Sequence, residues 1–425
     1  MDLRAIHASS SSPANTADAW TSRGAQAAFF LGIMFLGYAV FAADRTVLSS
    51  LLSHLASALA LTPTETGVLV SAQYVGVLAF VFVAGHLSDR YGRWKILLTG
   101  VAVFTFFTGL IGLSQSFLEA LAFRLVSGFG EGLFWPVAMA AVSSYFGRSK
   151  GLALGIFYVG FDVGSFLGLN IGGVTFAITS DWRIGFYVAP LLGLPVIAGL
   201  LAGRRAVAES EAGGVTVSLG RDAVDLLGRR SVQLLCLFAL LATWASVWQV
   251  AFLPYYYSNV LGLSTPLASF IASLVLLSGA LGKLALGRAS DFLRRKWLLL
   301  IISLLLVLMY GIFFTTSEFY AGISAALAMG FFSGAIFPIF QGMVADSSTG
   351  KVGTGLGLTT TFQSAAAAFS LSLAGALSDP KGISDVLFGT TSIGFKGAIT
   401  LTALIPAVLM CVLCLFLVEP QRTGS

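Results

Sequence analysis

Twelve apolar runs, each long enough to cross a lipid bilayer, divide almost the whole chain between them. A helix of about 20 apolar residues spans the hydrocarbon core of a membrane. Of the 425 residues, 57% are hydrophobic and 10% are charged, and a soluble core could not bury so much apolar surface. The sequence therefore predicts an all-α polytopic membrane protein. The predicted spans are 24–50, 66–87, 96–114, 118–144, 151–178, 184–203, 231–259, 266–288, 297–315, 319–344, 354–378 and 395–418.

Basic residues are concentrated in every second loop between these runs. If the N-terminus is cytoplasmic, the positive-inside rule accounts for the pattern, and both termini face the cytoplasm. The net charge of +5 then reflects topology, and we expect a lipid bilayer and no nucleic acid as partner. We predict a monomer in the cell (inner or plasma) membrane. The inner loops hold Arg90, Arg93 and Lys95; Arg148 and Lys150; Arg204, Arg205, Arg221, Arg229 and Arg230; and Arg294, Arg295 and Lys296.

The chain repeats itself at a constant offset of 202 residues, since the stretch from Gly85 to Arg93 recurs from Gly287 to Arg295. The same offset relates Gly128 to Gly330, Gly132 to Gly334 and Pro136 to Pro338. One offset in separate regions indicates a duplicated unit, so we predict twelve transmembrane helices in two pseudo-symmetric six-helix bundles. The predicted parts are a disordered cytoplasmic tail 1–23, an N-terminal bundle 24–203, a cytoplasmic linker 204–230, a C-terminal bundle 231–418 and a cytoplasmic tail 419–425.

Three motifs resemble those of the major facilitator superfamily, and the resemblance covers essentially residues 24–418. The stretch from Gly85 to Lys95 resembles the cytoplasmic signature loop between spans two and three of that superfamily. Arg124-x3-Gly128-x-Gly130 is similar to its fourth-span motif, and Trp182-Arg183-x2-Phe186 is typical of its sixth span. The resemblance implies a transporter, not an enzyme, that works by alternating access.

Within that superfamily the chain resembles the anion:cation symporters, which include galactonate and sialic-acid carriers. The resemblance rests on Asp44-Arg45-x2-Leu48-Ser49 in span one and on Arg124 with Glu131 in span four. It implies that these acidic and Arg residues couple proton and substrate movement. The chain departs from the galactonate carriers at Phe161, where a polar residue is expected, and at Val77, where a tyrosine is expected. The resemblance therefore does not transfer the identity of the substrate.

Six charged residues lie inside the predicted spans and away from the span ends, and charges at such depth usually face a cavity and serve a function. They are Asp44, Arg45, Arg124, Glu131, Asp162 and Lys283. We expect the planar guanidinium of Arg45 to bind a substrate carboxylate. Asp44 is expected to pair with Arg124, and Glu131 to act as a second proton carrier. Proton coupling is thus predicted for Asp44, Glu131, Arg124 and Asp162.

The alternative is that Asp44–Arg124 and Arg45–Glu131 are only ion pairs that hold the N-terminal bundle together. At the offset of 202, the C-terminal bundle carries Ser246, Val247, Ala326 and Ser333 at the four matching positions. A purely architectural set of charges could have been kept in both halves. Its absence from the second half favours a function for Arg45 and Glu131, whereas for Arg124 both interpretations stay open.

Polar and aromatic side chains at comparable depth are candidates for substrate contact. Lys283 contacts the anion if it behaves like the Arg at this place in monocarboxylate and oxalate carriers, or it extends to the cytoplasmic end of its helix. Asp162 is either a third titrating group or a cap for a neighbouring helix. The predicted substrate-binding residues are Arg45, Tyr38, Gln73, Tyr74, Trp248, Gln249, Gln341, Gln363 and Lys283.

Charged residues at the inner ends of helices are predicted to form a gate. Asp89 and Asp291 can pair with loop arginines while the cytoplasmic side is closed and release them as it opens. The predicted gating residues are Asp89, Arg90, Arg93, Asp291 and Arg295.

The sequence contains no Walker loop for ATP and no histidine cluster for a metal, so we expect no cofactor and an ion gradient as the driving force. The first hypothesis is proton-coupled symport of a small organic anion, such as a sugar acid or another carboxylate. The second is proton-driven export of amphipathic compounds, which an arginine in the cavity disfavours. A membrane sensor without flux and an uncoupled facilitator are further alternatives.

Overall fold

The computed structural model describes residues 13–146, 150–204, 207, 219–290, 292–348, 351–381 and 394–419, and in these ranges it contains helices and turns but no strand. Twelve helical segments are long enough to cross a membrane, which confirms the predicted fold class. In chain order, spans 1 to 12 are Pro13–Ala58, Pro63–Tyr91, Arg93–Ile111, Phe117–Phe146, Lys150–Thr179, Trp182–Ala202, Arg230–Ala251 with its continuation Leu253–Asn259, Thr265–Ala289, Arg295–Thr315, Phe319–Ser347, Val352–Ser378 and Gly394–Phe416.

Span 11 differs from the other spans in composition. The other eleven are apolar enough as well as long enough to cross a bilayer. Span 11 has the length, but Thr359, Thr360, Thr361 and Gln363 interrupt its apolar sequence. Such polar residues are tolerated inside a membrane where they face protein or a cavity. Span 11 accordingly packs against spans 2, 7 and 12.

The ends of the helices follow local sequence signals. Span 2 begins with a capping box, in which the hydroxyl of Thr62 accepts from the backbone N–H of Glu65 and the Glu65 carboxylate accepts from Thr62. Spans 2 and 3 are joined at Gly92, whose φ of 90° is unfavourable for residues with a side chain. Pro190 interrupts span 6, where the 3₁₀ segment Ala189–Leu192 separates two α-helical parts.

Each bundle is held together by close contact between helices at small residues. A methyl group at Gly128 in span 4 would meet the backbone of Gln73 in span 2. At the equivalent place in the second half, a methyl group at Gly330 in span 10 would meet the backbone of Val275 in span 8. Small residues allow backbones to approach in lipid, where helix packing replaces hydrophobic burial as the stabilising interaction. The repeat seen in the sequence thus corresponds to a repeated helix contact.

The linker between the halves includes one short helix, Leu219–Leu227, which docks on the C-terminal bundle. Leu226 is fully buried against Val232 and Cys236. Lys351, next to the start of span 11, binds Asp222 and Asp225 at 2.8 Å each. We call the side of the molecule that carries this helix the linker face and the opposite side the far face.

The predicted part boundaries lie close to the observed helices but are partly outside the described ranges. The helix of span 1 begins at Pro13, inside the predicted tail 1–23. Residues 1–12 and 420–425, and 208–218 of the predicted linker 204–230, lie outside the described part of the chain.

The two bundles meet along span 2 with span 11 and along span 5 with span 8. Near the far face, direct hydrogen bonds cross this interface. Ser50 and Ser269 are 2.6 Å apart at their hydroxyls, and Ser372 donates to Ser71 at 2.7 Å. The other bonds of this far-face seam are His54 with Thr265, Asn170 with Ser273, and Thr64 with Asp379.

Two glycines on the linker side have free space beside them in the described part of the chain. A side chain added at Gly155 in span 5 or at Gly357 in span 11 would find no atom of the described residues within 4 Å. Among the described residues, the far-face seam thus joins the bundles at the far face, and there is free space beside Gly155 and Gly357 toward the linker face.

Candidate functional site

A cavity of about 370 Å³ lies between the two bundles, and both bundles contribute to its walls. The charged residues in its walls are Arg45 and Asp162 from the first bundle and Lys283 from the second. The cavity has the size of a small-molecule site. Of the predicted substrate-binding residues, the structure brings together Arg45, Tyr38, Tyr74, Gln249, Gln341, Gln363 and Lys283 around it.

Arg45 and Glu131 form an ion pair in the wall of the cavity. Two guanidinium nitrogens of Arg45, Nε and Nη2, donate to Glu131 Oε2 at 2.8 and 2.6 Å. The Glu131 side chain is fully buried, whereas 12% of the Arg45 side chain is exposed. The rings of Phe41 and Tyr74 flank the guanidinium, with centroids 4.3 and 4.7 Å from Arg45 Cζ. These contacts fix the guanidinium at the edge of the cavity.

Gln73 connects the two acidic residues behind this ion pair. Its amide nitrogen donates to Glu131 Oε1 and, at 3.2 Å, to Asp44 Oδ2. The Gln73 side chain is fully buried and does not line the cavity. The predicted substrate contact of Gln73 is therefore replaced by a contact with the carboxylates. An amide has two donor hydrogens, so one Gln73 can bind both acids at once.

Asp44 does not form the predicted side-chain pair with Arg124. Arg124 instead donates to the backbone carbonyl oxygens of Asp44 and Arg45, at 3.3 and 3.4 Å. Asp44 Oδ2 accepts from the hydroxyl of Ser127 at 2.9 Å, and Asp44 Oδ1 is buried with no partner in the described ranges. The predicted pair does not form because the Arg124 guanidinium lies beside the backbone of span 1 and not opposite the Asp44 carboxylate. The prediction from sequence missed Ser127.

A second ion pair, Lys283 with Asp162, joins the two bundles across the cavity. Lys283 Nζ lies 2.6 Å from Asp162 Oδ1, and 26% of the lysine side chain is exposed. The second carboxylate oxygen, Oδ2, is buried and has no hydrogen-bond partner among the described residues. The ammonium also lies 5.7 Å from the ring centroid of Phe161. Lys283 thus points into the cavity rather than toward the helix end.

Two charged residues in the sequence contain a signal for this pair. Asp162 and Lys283 are opposite charges within two apolar spans that belong to different halves. Buried charges in membranes usually pair with one another. The packing of span 5 against span 8 was the missing information, and it comes only from the structure.

The C-terminal wall of the cavity is polar but mostly uncharged. Gln249 donates to the hydroxyl of Tyr310 at 2.8 Å and accepts from Ser333 at 3.3 Å. Gln341 and Gln363 also line this wall. Trp248, predicted to contact the substrate, instead packs against other aromatic rings away from the cavity. Those rings belong to Tyr310, Phe313 and Phe314.

The structure describes four of the five predicted gating residues. Asp89 and Arg90 are exposed, and Arg93 is buried at the start of span 3. Arg295 forms an ion pair with Asp346 at 2.6 Å, which ties span 9 to span 10 within one bundle. Asp291 lies outside the described residues. Asp346 was not predicted.

Comparisons with known proteins agree with this architecture. A solved structure of a D-xylose-proton symporter matches with a TM-score of 0.70 and 15% identity, over 90% of this chain and 96% of that chain. At that identity the likeness concerns the fold. The chain is 32% identical over 167 residues to a probable 4-methylmuconolactone transporter of Cupriavidus pinatubonensis (strain JMP 134 / LMG 1197), which is 38% of this chain and 39% of the relative.

A second relative is the 3-(3-hydroxy-phenyl)propionate transporter of Escherichia coli (strain K12), 31% identical over 173 residues, which is 39% of this chain and 42% of the relative. The chain therefore aligns with about two fifths of the length of each of these two curated relatives. The model of the family described as Major Facilitator Superfamily matches residues 34–252 and 233–425. Those two stretches together cover nearly the whole chain, so this protein belongs to the Major Facilitator Superfamily, as its sequence motifs predict.

Proposed function

We propose that this protein is a secondary transporter that moves a small organic anion together with a proton by alternating access. One observation carries the proposal. The cavity between the bundles contains one cationic side chain from each bundle, Arg45 and Lys283, and each is already neutralised by a carboxylate of the protein. A substrate carboxylate that binds either cation therefore competes with a protein carboxylate for the same positive charge.

The exchange at Lys283 links anion binding to proton binding. A substrate carboxylate that binds Lys283 displaces Asp162, whose Oδ2 already lacks a partner among the described residues. An unpaired carboxylate in such a wall is costly as an anion, so it takes up a proton. The site then gains one negative and one positive charge together. The expected stoichiometry at this pair is one proton for each carboxylate.

The cluster around Glu131 is proposed to couple protonation to the shape of the first bundle. Glu131 is held by Arg45 and Gln73, and Gln73 also holds Asp44. Protonation of either acid changes which donors it needs, and the contacts between spans 1, 2 and 4 change with it. The retained roles are substrate contact for Arg45 and proton coupling for Asp44, Glu131 and Asp162, with Arg124 as a support for the span 1 backbone.

The proposal includes an orientation of the protein in the membrane. We propose that the linker face is cytoplasmic, with both termini on that side, in a monomer in the cell membrane. The structure then corresponds to the state open to the cytoplasm, and the far-face seam has to separate in the other state. Asp89, Arg90 and Arg93 remain proposed gating residues.

The names of two relatives support an organic anion as the substrate. By those names, the two proteins transport organic acids or lactones.

Uptake into proteoliposomes tests the proposal. An inward proton gradient is imposed, and uptake of radiolabelled glucuronate and 4-hydroxybenzoate is compared with empty liposomes. We expect gradient-driven accumulation of a carboxylate, lost in Lys283→Gln and kept in the control Lys296→Gln. Lys296 donates to the backbone of Leu415 outside the cavity. Exchange of a lipophilic cation for protons, unaffected by Lys283→Gln, would replace this proposal with the exporter.

A further inference from the structure

The first-bundle wall of the cavity presents an aromatic surface that ends at a cation. Tyr38 lies 5.6 Å from Phe161 and 6.1 Å from Tyr158, measured between ring centroids. Phe157 stacks behind Tyr38 at 4.4 Å and fixes its ring. The Lys283 ammonium lies at the end of this row, 5.7 Å from the Phe161 centroid. We call Tyr38, Tyr158 and Phe161 the aromatic shelf.

The aromatic shelf offers little to a ligand that carries many hydroxyl groups. The hydroxyl of Tyr158 donates to the sulfur of Met139 at 3.1 Å. Phe161 has no polar atom on its side chain, and the hydroxyl of Tyr38 is the remaining polar group of the shelf. Hydroxyl groups pressed against such a surface lose water without a replacement partner, which opposes binding. A flat ring gains stacking or edge contacts with the same surface.

Most of the other polar groups of the cavity belong to its C-terminal wall. The amides of Gln341 and Gln363 line the C-terminal wall. The hydroxyl of Thr243 on that wall and the indole N–H of Trp135 are buried without a hydrogen-bond partner in the described ranges. Such groups can bind one or two polar substituents at the edge of a ring. Ser246, Gln249, Ser333, Thr360 and Ser364 line the same C-terminal wall. Because these groups lie mainly on one wall, they can contact one side of a ligand, whereas a polyhydroxylated chain carries hydroxyl groups on all sides.

We infer that the substrate is an aromatic carboxylate. Its ring lies on the aromatic shelf, and its carboxylate, attached directly or through a short linker, replaces Asp162 on Lys283. The inference rests on the proposed anion symport and narrows its substrate class. Sugar acids, which the sequence also allowed, are then poorer ligands.

Equilibrium binding to the purified full-length protein in detergent tests this without any transport step. The probe is radiolabelled 4-hydroxybenzoate, and the competitors are glucuronate and cyclohexanecarboxylate. We expect 4-hydroxybenzoate to bind at least about tenfold more tightly than glucuronate, because unpaired hydroxyls are disfavoured in an apolar wall. Phe161→Leu is expected to weaken 4-hydroxybenzoate about tenfold through the lost ring contact. The same substitution should change the affinity for cyclohexanecarboxylate by less than about threefold.

Two further variants keep the test independent of folding. Phe161→Tyr keeps the ring and should retain binding of 4-hydroxybenzoate. Phe106→Leu removes a ring that is exposed on span 3, outside the cavity, and should change nothing. Tighter binding of glucuronate, dependent on Lys283, would overturn the aromatic substrate and leave the proposed symport standing. Binding of tetraphenylphosphonium but of no carboxylate would overturn both.

Discussion

The two halves of this protein share a backbone plan but differ in what they bury at its centre. At the same offset, Gly128 and Gly330 make matching close contacts between helices. Glu131, however, corresponds to Ser333, which bonds to Gln249 and to its own helix. The second half is thus held together at this place without a buried carboxylate.

The comparison separates architecture from function. Features present in both halves, such as the small residues between helices, are those that a six-helix bundle of this kind needs. Asp44, Arg45, Arg124 and Glu131, by contrast, have uncharged counterparts in the second half. Buried charges are a poor source of stability, since their desolvation opposes their attraction. We therefore attribute the cluster around Glu131 to transport, and the following predictions test that attribution, from the largest expected effect to the smallest.

Glu131→Gln is expected to abolish proton-driven accumulation, because the side chain then cannot exchange a proton. Exchange of substrate across the membrane at equal concentrations should continue, since the amide oxygen of this variant still offers an acceptor to Arg45. The matched variant Ser333→Ala, in the other half, should keep the response to the proton gradient. The measurement is radiolabelled uptake with and without the gradient. An equal loss of proton-driven accumulation in Glu131→Gln and Ser333→Ala would contradict the assignment of proton coupling to the first half.

The Lys283–Asp162 pair is expected to show non-additive stability. Lys283→Gln leaves a largely buried carboxylate without its cation, which costs about 1–3 kcal/mol at a partly exposed pair. The melting temperature of the detergent-solubilised protein should fall by a few degrees. The double variant Lys283→Gln/Asp162→Asn should recover most of that loss but not transport. Additive losses in the double variant would show that the two side chains act separately.

The shared glycines should respond alike in both halves. Gly128→Ala and Gly330→Ala each force a methyl group against a neighbouring backbone, with an expected cost of about 1–3 kcal/mol for each. Gly155→Ala, which meets open space, is the control and should be nearly neutral. Thermal unfolding of the three variants measures this. A large effect at one glycine alone would mean that the halves differ in architecture as well.

The far-face seam is expected to set the balance between the two open states. Ser269→Ala removes the bond to Ser50 across the bundles, worth about 1 kcal/mol or about fivefold in that equilibrium. Spin labels at Ile178 and Leu261, exposed at the far face, report the separation of the bundles. The control Ser370→Ala breaks a bond to the backbone of Trp244 within one bundle. An equal shift of this equilibrium in the control variant would show that the far-face seam does not set the balance between the two states.

The docked linker helix should respond to salt but hardly to pH. The hydrogen bond from Lys351 lowers the pKa of Asp225, and the hydrogen bonds to Asp222 and to Asp225 raise the pKa of Lys351. The lowered pKa of Asp225 stabilises the docked helix, and this stabilisation is lost only when the pH falls below the ordinary pKa of a carboxyl group. The raised lysine pKa gives stability that is lost only in strong alkali. Between about pH 5 and pH 9, docking should stay constant.

Fluorescence of a label at Val224, which is exposed on the linker helix, can follow the docking. High salt should release the helix, because the pairs lie at the surface and are screened. Lys351→Gln should weaken the response to salt. A docking transition near neutral pH would contradict this prediction, because it would require another titrating group at the linker helix.

The fold could be predicted almost entirely from the sequence, because twelve apolar runs and one repeat offset leave little choice of architecture. The side chains in the cavity were less predictable. Arg45 and Lys283 stood out as charges in apolar spans, whereas the role of Gln73 between two carboxylates depends on the distance between spans 1, 2 and 4. Trp248 was misplaced because an aromatic residue in a span can face either a cavity or a neighbouring helix, and composition does not distinguish the two.

The most direct test of coupled transport is to record substrate and proton movement in the same vesicles. Proteoliposomes with a trapped pH dye, equal pH on both sides and no membrane potential receive 4-hydroxybenzoate or glucuronate, with empty liposomes as the blank. The account predicts internal acidification in proportion to carboxylate uptake, and neither signal above the blank in Lys283→Gln. Carboxylate uptake without acidification, or with alkalinisation, would contradict proton symport.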